Sequence, residues 1–345
     1  MRTPVTVGVV RSGSEAAAVT RAFADLRQST LRWVCDDSNL HRPTASQPGP
    51  KPTDDFDQLL DDEELDAIAF ASPALALPAR VRSALEADKH VYIGGTLLAS
   101  AAEAEALVAV AARRNRRLWA RSPELFRPAA RRLHALMERG ALGEIFYLHA
   151  QRFVQADATG LDLLLGPGSE AVGLALHLLE DEPIEVEARA ESYRDGSGPD
   201  LVFAKLRFAT GIAVHLHVSR LEGWTRDRLS VVGSERTAVL DGSKRDRELA
   251  LFVAADAPRS ADDLSLEPGS MIALRLPDSG LTREACARFL TSVRSPEEDK
   301  HGHETALAVR VMEALDRSCV RGGTAESITN PAEPIPTNVV EIRAR

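Results

Sequence analysis

"VTVGVVRSGSEAAAVTRAFADLRQSTLRWVCDD", residues 5–37, decides the fold. VTVGVV (5–10) is a short apolar, β-branched run that ends at Ser12-Gly13-Ser14, and a helical stretch follows from Glu15 to Leu26. LRWVCDD (31–37) then reads as a second strand. Strand, glycine turn, helix, strand is how a doubly wound parallel sheet begins. The alternation continues: DDFDQLL leads into the strand DAIAFAS (66–72), then a helix from Leu77 to Ala87 and the strand HVYI (90–93). A helix from Ser100 to Arg114 and the strand RLWA (117–120) complete it. Repeated strand-helix units over this length point to a nucleotide-binding type of domain. PTASQPGPKP (43–52) carries four prolines, cannot hold a regular element and reads as a surface loop.

After Pro123 the character changes. A helix from Ala129 to Arg139 ends at a glycine, and strands then dominate: EIFYLHAQRFV, EVEARAESYR, LVFAKLRFA, GIAVHLHVSR, RLSVVGS and RTAVLDG. Turn residues such as DGSGPD (195–200) and ATG (209–211) separate them, which predicts an antiparallel sheet of meander type. One helix, from about Glu170 to Leu179, interrupts the strands, and a helical pair (283–295 and 302–317) closes the chain.

A chain of 345 residues accommodates two domains, and 44% hydrophobic with 27% charged residues is ordinary globular usage. The formal charge of −9 argues against nucleic-acid binding, which needs a basic face. Arg127, Arg131 and Arg132 cluster locally, and at helical spacing they read as a solvated face. No apolar stretch approaches the length of a membrane span, and MRTPVTVGVV enters a strand without a secretory pattern. Cys35, Cys286 and Cys319 are odd in number and far apart. That spacing argues against a disulfide framework or zinc site and for a cytoplasmic protein.

The order and spacing of these segments resemble the glucose-fructose oxidoreductase, inositol dehydrogenase and MocA family across almost the whole chain. The resemblance rests on TVGVV with RAFA, VCDDS, DDFDQLL, DAIAFASPA, ALEADKHVYI, LFRPAARRL, GALGEI, DEPIEV, VVGSERTAVLDG and ARFLTSVR. It implies an α/β protein with an N-terminal Rossmann dinucleotide-binding domain (1–122). A C-terminal α+β domain with a large, open, mostly antiparallel sheet (123–345) would serve substrate binding and oligomerisation. The family acts on sugars, cyclitols and related hydroxy compounds, so the expected small-molecule ligand is sugar-like. It associates through the open sheet face, so a homo-oligomer is expected.

Carried onto this sequence, the family's G-x-G-x-x-G falls on Arg11-Ser12-Gly13-Ser14-Glu15-Ala16. Only Gly13 survives; the first glycine, which makes the sharp turn at the pyrophosphate, is Arg11. Asp36 closes the second strand where a carboxylate would bind the adenosine ribose, which favours NAD over NADP; it also reads as a strand-end turn residue. Ser72, Pro73 and Gly94 fall at the ends of the next strands and complete the expected cofactor-binding set with Arg11, Ser12, Gly13, Ser14 and Asp36.

The family's Glu-Lys-Pro, whose lysine stabilises alkoxide charge during hydride transfer, reads Gly94-Gly95-Thr96 here. Lys89 lies six extended residues from Gly95, roughly 20 Å at about 3.3 Å each, on the opposite edge of the sheet. The family's His-Asp pair falls on Glu170-Ala171, and the aspartate one turn earlier falls on Gly166. The imidazole of general acid-base chemistry is thereby replaced by Glu170. Glu170 reads either as an acid or base with a burial-raised pKa or as a charge at a helix N-terminus. His215 and His217 lie on one sheet face, which reads as an oligomer- or partner-facing surface, and no metal site is expected.

The absences occur together: lysine, histidine, its aspartate and the first loop glycine. Losing one positioned donor costs about 10² to 10³ in rate. Three functions stay open: a pseudo-oxidoreductase that binds a ligand or serves a partner enzyme; an active NAD(P)-dependent oxidoreductase drawing on Glu170, Glu124 or Arg121; and non-redox acid-base chemistry at Glu170.

Overall fold

The computed structural model describes residues 3–11, 17–36, 49–155, 162–194, 198–242, 249–254, 269–274, 280–295 and 301–328. The first layer comprises β1 (Val5–Arg11), α1 (Ala17–Asp25), β2 (Ser29–Asp36), β3 (Lys51–Thr53) and α2 (Asp57–Asp61). It continues through β4 (Ala67–Phe70), α3 (Pro78–Glu86), β5 (His90–Ile93), α4 (Ala101–Arg113) and β6 (Leu118–Ala120). The six strands form one parallel sheet in the order β3-β2-β1-β4-β5-β6. All four residues of β4 are buried, as a strand covered on both faces requires. Ser100 caps α4 reciprocally with Glu103, each side chain accepting the other's backbone N–H.

Two local expectations change. DDFDQLL supplies the short helix α2 on its way to β4. The end of the proline-rich stretch is an edge strand, β3, paired only with β2; at an edge, Pro52 needs no N–H for a neighbour.

The second layer begins with α5 (Pro128–Glu138) and β7 (Ile145–Phe153), then α6 (Ser169–Leu179), β8 (Pro183–Glu191), β9 (Leu201–Phe208) and β10 (Ala213–Ser219). It continues with β11 (Arg226–Gly233), β12 (Arg236–Asp241), β13 (Leu249–Val253), β14 (Met271–Leu274), α7 (Leu281–Arg294), α8 (His301–Val320) and β15 (Glu326–Ser327). The nine strands run β14-β13-β12-β11-β7-β10-β9-β8-β15. This is a mixed, mostly antiparallel sheet and not one meander. Two meanders, β8–β10 and β11–β14, flank β7, which is antiparallel to β11 and parallel to β10. The connection from β7 passes through α6, so the chain re-enters the sheet at β8 and reaches β10 by two hairpins, pointing the same way as β7.

Alternation along β9 sends Val202, Ala204, Leu206 and Phe208 inward and leaves Phe203, Lys205 and Arg207 on the outer face. α8 covers the inner face beside β8 and also packs on α4, while α7 packs on α1. The closing helices therefore join both sheets to one continuous core. Phe289 of α7 meets Tyr92 of β5 (ring centroids 5.5 Å) and Trp119 of β6 (6.3 Å). Glu313 of α8 accepts the Ala101 N–H at the start of α4 (2.5 Å). No disulfide joins the three cysteines. Among the described residues no helix is long and apolar enough to cross a membrane.

Ser318 ties α8 to the sheet: its buried hydroxyl accepts the Ala188 N–H (2.9 Å) and donates to the Thr324 carbonyl (2.6 Å). Ser318→Ala strands that N–H in the core. It is expected to cost about 1–3 kcal/mol in urea denaturation at unchanged slope. A loss within error of zero would show that the bond adds nothing.

Candidate functional site

Thr96, Ala120, Arg121 and Ser122, at or just past the carboxyl ends of β5 and β6, line a cavity together with α6, and the carboxyl ends of strands are where open α/β sheets bind ligands. At the end of β5 the Gly94 N–H continues the ladder to the Phe70 carbonyl (3.1 Å), and the Gly95 N–H turns back to Ile93 (2.9 Å). This tight turn presses the chain against Ala71, Ser72 and Pro73. Gly95 has φ +153°, a region closed to residues with a side chain, and a Cβ built there would lie 2.6 Å from Pro73 Cγ. A Cβ on Gly94 would lie 3.1 Å from the Ala71 carbonyl oxygen. Ser72 fixes Pro73 by accepting the Ala74 N–H (3.4 Å) at a short 3₁₀ turn. The position expected to carry the family's lysine is a glycine whose backbone geometry admits no side chain.

The described lysines lie elsewhere. Lys51 sits over the Trp33 ring (5.1 Å). Lys89 is buried and donates to the Asp62 carbonyl (2.7 Å), and burial holds its pKa below the usual lysine value. Lys205 is on the outer face of the second sheet, opposite His215. Lys244 and Lys300 fall outside the described residues.

Of the expected cofactor residues, Ser12, Gly13 and Ser14 lie outside the described residues. Arg11 and Asp36 face each other across the β1–β2 ladder, and Arg11 Nε stands 3.5 Å from the buried Asp36 carboxylate. The described residues therefore fit a dinucleotide poorly. Asp36, expected to bind the ribose, has a guanidinium against it, and that arginine stands where the turn's first glycine was expected.

Glu170 does not stand at a free helix end. A wide π-type turn over Leu164–Gly168 precedes α6, and Asp162 caps the helical run by accepting the N–H groups of Leu164 (2.8 Å) and Leu165 (3.0 Å). The charges that act on Glu170 are those of Arg152, Glu124, Asp227 and Arg127. Burial pushes its pKa above the usual carboxylate value, with Arg152 opposing the shift. Both guanidiniums are already engaged: Arg152 holds Asp227 (2.5 Å), and Arg127 bonds Glu124 and approaches Asp227 (3.6 Å). Arg127, expected on a solvated face, is an interior member of this network. Ala171, the second half of the histidine-aspartate pair, is buried in the core.

On the other side of α6, toward α8, lies a cavity of about 630 Å³. It is lined by Thr96, Ser122, Leu125, Gly173, Leu176, His177, Glu182, Glu304 and Leu307, among others. Arg121 is its buried cation. The guanidinium lies 5.7 Å from the Trp119 and Phe126 ring centroids, pairs with Glu304 (2.9 Å) and donates to His177 Nδ1 (3.2 Å) when that nitrogen is unprotonated. His177 stacks on His134 (centroids 4.9 Å). Burial first, then Arg121 and His134, push the His177 pKa down to about 4, so the ring is neutral at pH 7. Sequence reading placed both histidines in helices but had no signal that α5 and α6 stack them.

His215 and His149 are cross-strand partners on the outer sheet face, with His217 beside them. Among the described residues no group of three or more His, Cys, Asp or Glu side chains is placed to hold a metal ion.

Residues 5–122 match a family model described as the oxidoreductase family, NAD-binding Rossmann fold, and residues 130–239 match the GFO/IDH/MocA C-terminal domain. An uncharacterized oxidoreductase of Bacillus subtilis is 23% identical over 256 residues, covering 69% of this chain and 72% of its own. Two solved structures share the fold. An oxidoreductase from Agrobacterium radiobacter, in complex with NAD+, L-tartaric acid and magnesium, superposes with TM-score 0.78 at 16% identity, covering 94% and 99% of the two chains. A mutant 3-ketoreductase from Actinomadura kijaniata, in complex with TDP-benzene and NADP, gives 0.76 at 20% identity, covering 92% and 98%.

Because the folded His177 titrates at about 4 and an unfolded histidine near 6.5, the unfolded chain binds the extra proton between those values. Stability is therefore expected to fall as pH drops from about 6.5 to 4, with His177 contributing on the order of 3 kcal/mol. Denaturation at a series of pH values should show this limb flattened in His177→Gln. An unchanged limb would place the proton-linked loss elsewhere.

Proposed function

The chain belongs to the GFO/IDH/MocA oxidoreductase family and carries its NAD-binding fold, and from that premise we propose that it acts by binding, as an auxiliary or ligand-sensing pseudo-oxidoreductase. The observation that carries this reading is the end of β5. Hydride transfer to a sugar-like carbonyl needs a cation to receive the developing oxyanion. The position that supplies it in the family is a glycine at φ +153° with Pro73 against it. The imidazole position is Glu170, which faces cations already held by Asp227 and Glu124. NAD chemistry, where a dinucleotide is bound, would supply the hydride; this chain's described residues offer no lysine beside the cleft to stabilise the product alkoxide.

A partner would meet the outer face of the nine-stranded sheet, where Tyr147 and Phe203 are exposed, with Trp224 exposed in the loop between β10 and β11. Exposed aromatic side chains on one face mark association surfaces. A second copy and a partner enzyme are the two occupants this reading allows. Non-redox acid-base chemistry is the second reading, favoured by one observation, the raised pKa of Glu170.

Single-turnover mixing with NADH and a panel of keto-sugars is expected to give no oxidation above background, and Gly95→Lys is expected not to restore it. Turnover by the unmodified chain would contradict the reading. Arg11→Gly removes the guanidinium beside Asp36 and is expected to tighten NADH binding about tenfold, read by quenching of tryptophan fluorescence. Equal affinity in both proteins would mean that the Arg11–Asp36 pair does not compete with the cofactor. Substrate consumption without cofactor, abolished by Glu170→Gln, would establish the second reading.

A further inference from the structure

We propose that the cavity between α6 and α8 binds a small hydroxylated amine, with its ammonium among the carboxylates of the α6–β8 turn. The inference rests on the binding role proposed above and names the chemistry of the ligand.

Gly173 gives the first reason to expect an occupant. It lies in the middle of α6, where glycine is the poorest helix former after proline. Helical glycines usually answer to a close neighbour, yet a Cβ on Gly173 would meet nothing within 4 Å. The bare position faces the cavity and keeps its wall open. A volume of about 630 Å³ suits a small molecule.

The lining sets the ligand's chemistry. Leu125, Leu176 and Leu307 make an apolar surface for a carbon skeleton. Glu180, Asp181 and Glu182 stand together at one end. The Arg121 charge at the wall is matched by Glu304, and His177 is neutral. Glu182 bonds His303 (2.8 Å) and has Arg310 3.7 Å from its second oxygen, and Glu180 lies 3.4 Å from His134. Carboxylate still exceeds cation in the lining, so an anion is repelled and an ammonium is drawn in. Ser122, Thr96 and the Arg121–His177 pair offer donors and acceptors for hydroxyl groups.

Three hexoses with one ring and different charge test this: glucosamine, glucose and glucuronate. Each is titrated calorimetrically into the full chain at pH 6.5, where the amine is protonated. Glucosamine is expected to bind about tenfold more tightly than glucose, and glucuronate not at all. Glu182→Gln is expected to reduce the glucosamine preference several-fold and leave glucose unchanged. Gly173→Leu places a side chain in open space and improves the helix. It is expected to abolish binding with an unchanged or higher melting temperature. Glucuronate binding as well as glucosamine, no binding of glucosamine, or binding indifferent to Gly173→Leu would each overturn the proposal. Equal binding of all three hexoses that Gly173→Leu removes would overturn the amine assignment alone and leave the binding role standing. Hydride transfer to any of them would remove the binding role itself.

Discussion

Pro73 stands against Gly95 where a side chain would otherwise begin, just past the ends of β4 and β5. The ends of β4 and β5 approach so closely that Gly94 and Gly95 leave no room for a long side chain between them. A parallel sheet of this kind normally uses those ends to project reactive groups over a bound nucleotide. Here they pack on each other. In the proposed reading a backbone-to-ring contact stands where the family's lysine was expected, and no single substitution at position 95 reverses it, because φ +153° suits only glycine.

The same economy runs through the charged groups nearby. Arg11 faces Asp36, Arg121 faces Glu304, Arg127 faces Glu124, and Arg152 faces Asp227. Hydride transfer needs a cation free to strengthen its interaction as charge develops in the transition state. A guanidinium already matched by a carboxylate gains little from a new negative charge. That matching supports the proposed binding role. The cavity beside α6 has apolar lining, a neutral, half-buried imidazole and more carboxylates than cations in its lining.

Much of the architecture could be read from residue pattern because its cause is local. β4 and β5 are short apolar runs buried on both faces, and α4 announces its start through Ser100 and Glu103. The parallel pairing of β7 with β10 could not be read, since it depends on the path through α6 and not on either strand's residues. β3 was hidden by prolines that forbid central strands but tolerate edges. In the site, the substituted positions 11, 95 and 170 were legible as residue types. Their consequences were not. The φ of Gly95, the Arg11–Asp36 contact and the capture of Arg127 by Glu124 and Asp227 arise from tertiary packing. Glu170 shows the same limit: a carboxylate near a helix start suggests a cap, but the helical run begins earlier, at Asp162, and leaves Glu170 half-buried.

The proposed binding role requires that no ammonium or imidazole be poised over a nicotinamide ring in this cleft. A crystal structure of the chain grown with saturating NADH tests it most directly. The account predicts that, wherever density for the dinucleotide appears, no Lys Nζ or His ring nitrogen lies within about 3.5 Å of the place a substrate oxygen would take beside nicotinamide C4. A lysine or histidine found there, with Pro73 displaced from Gly95, would contradict it.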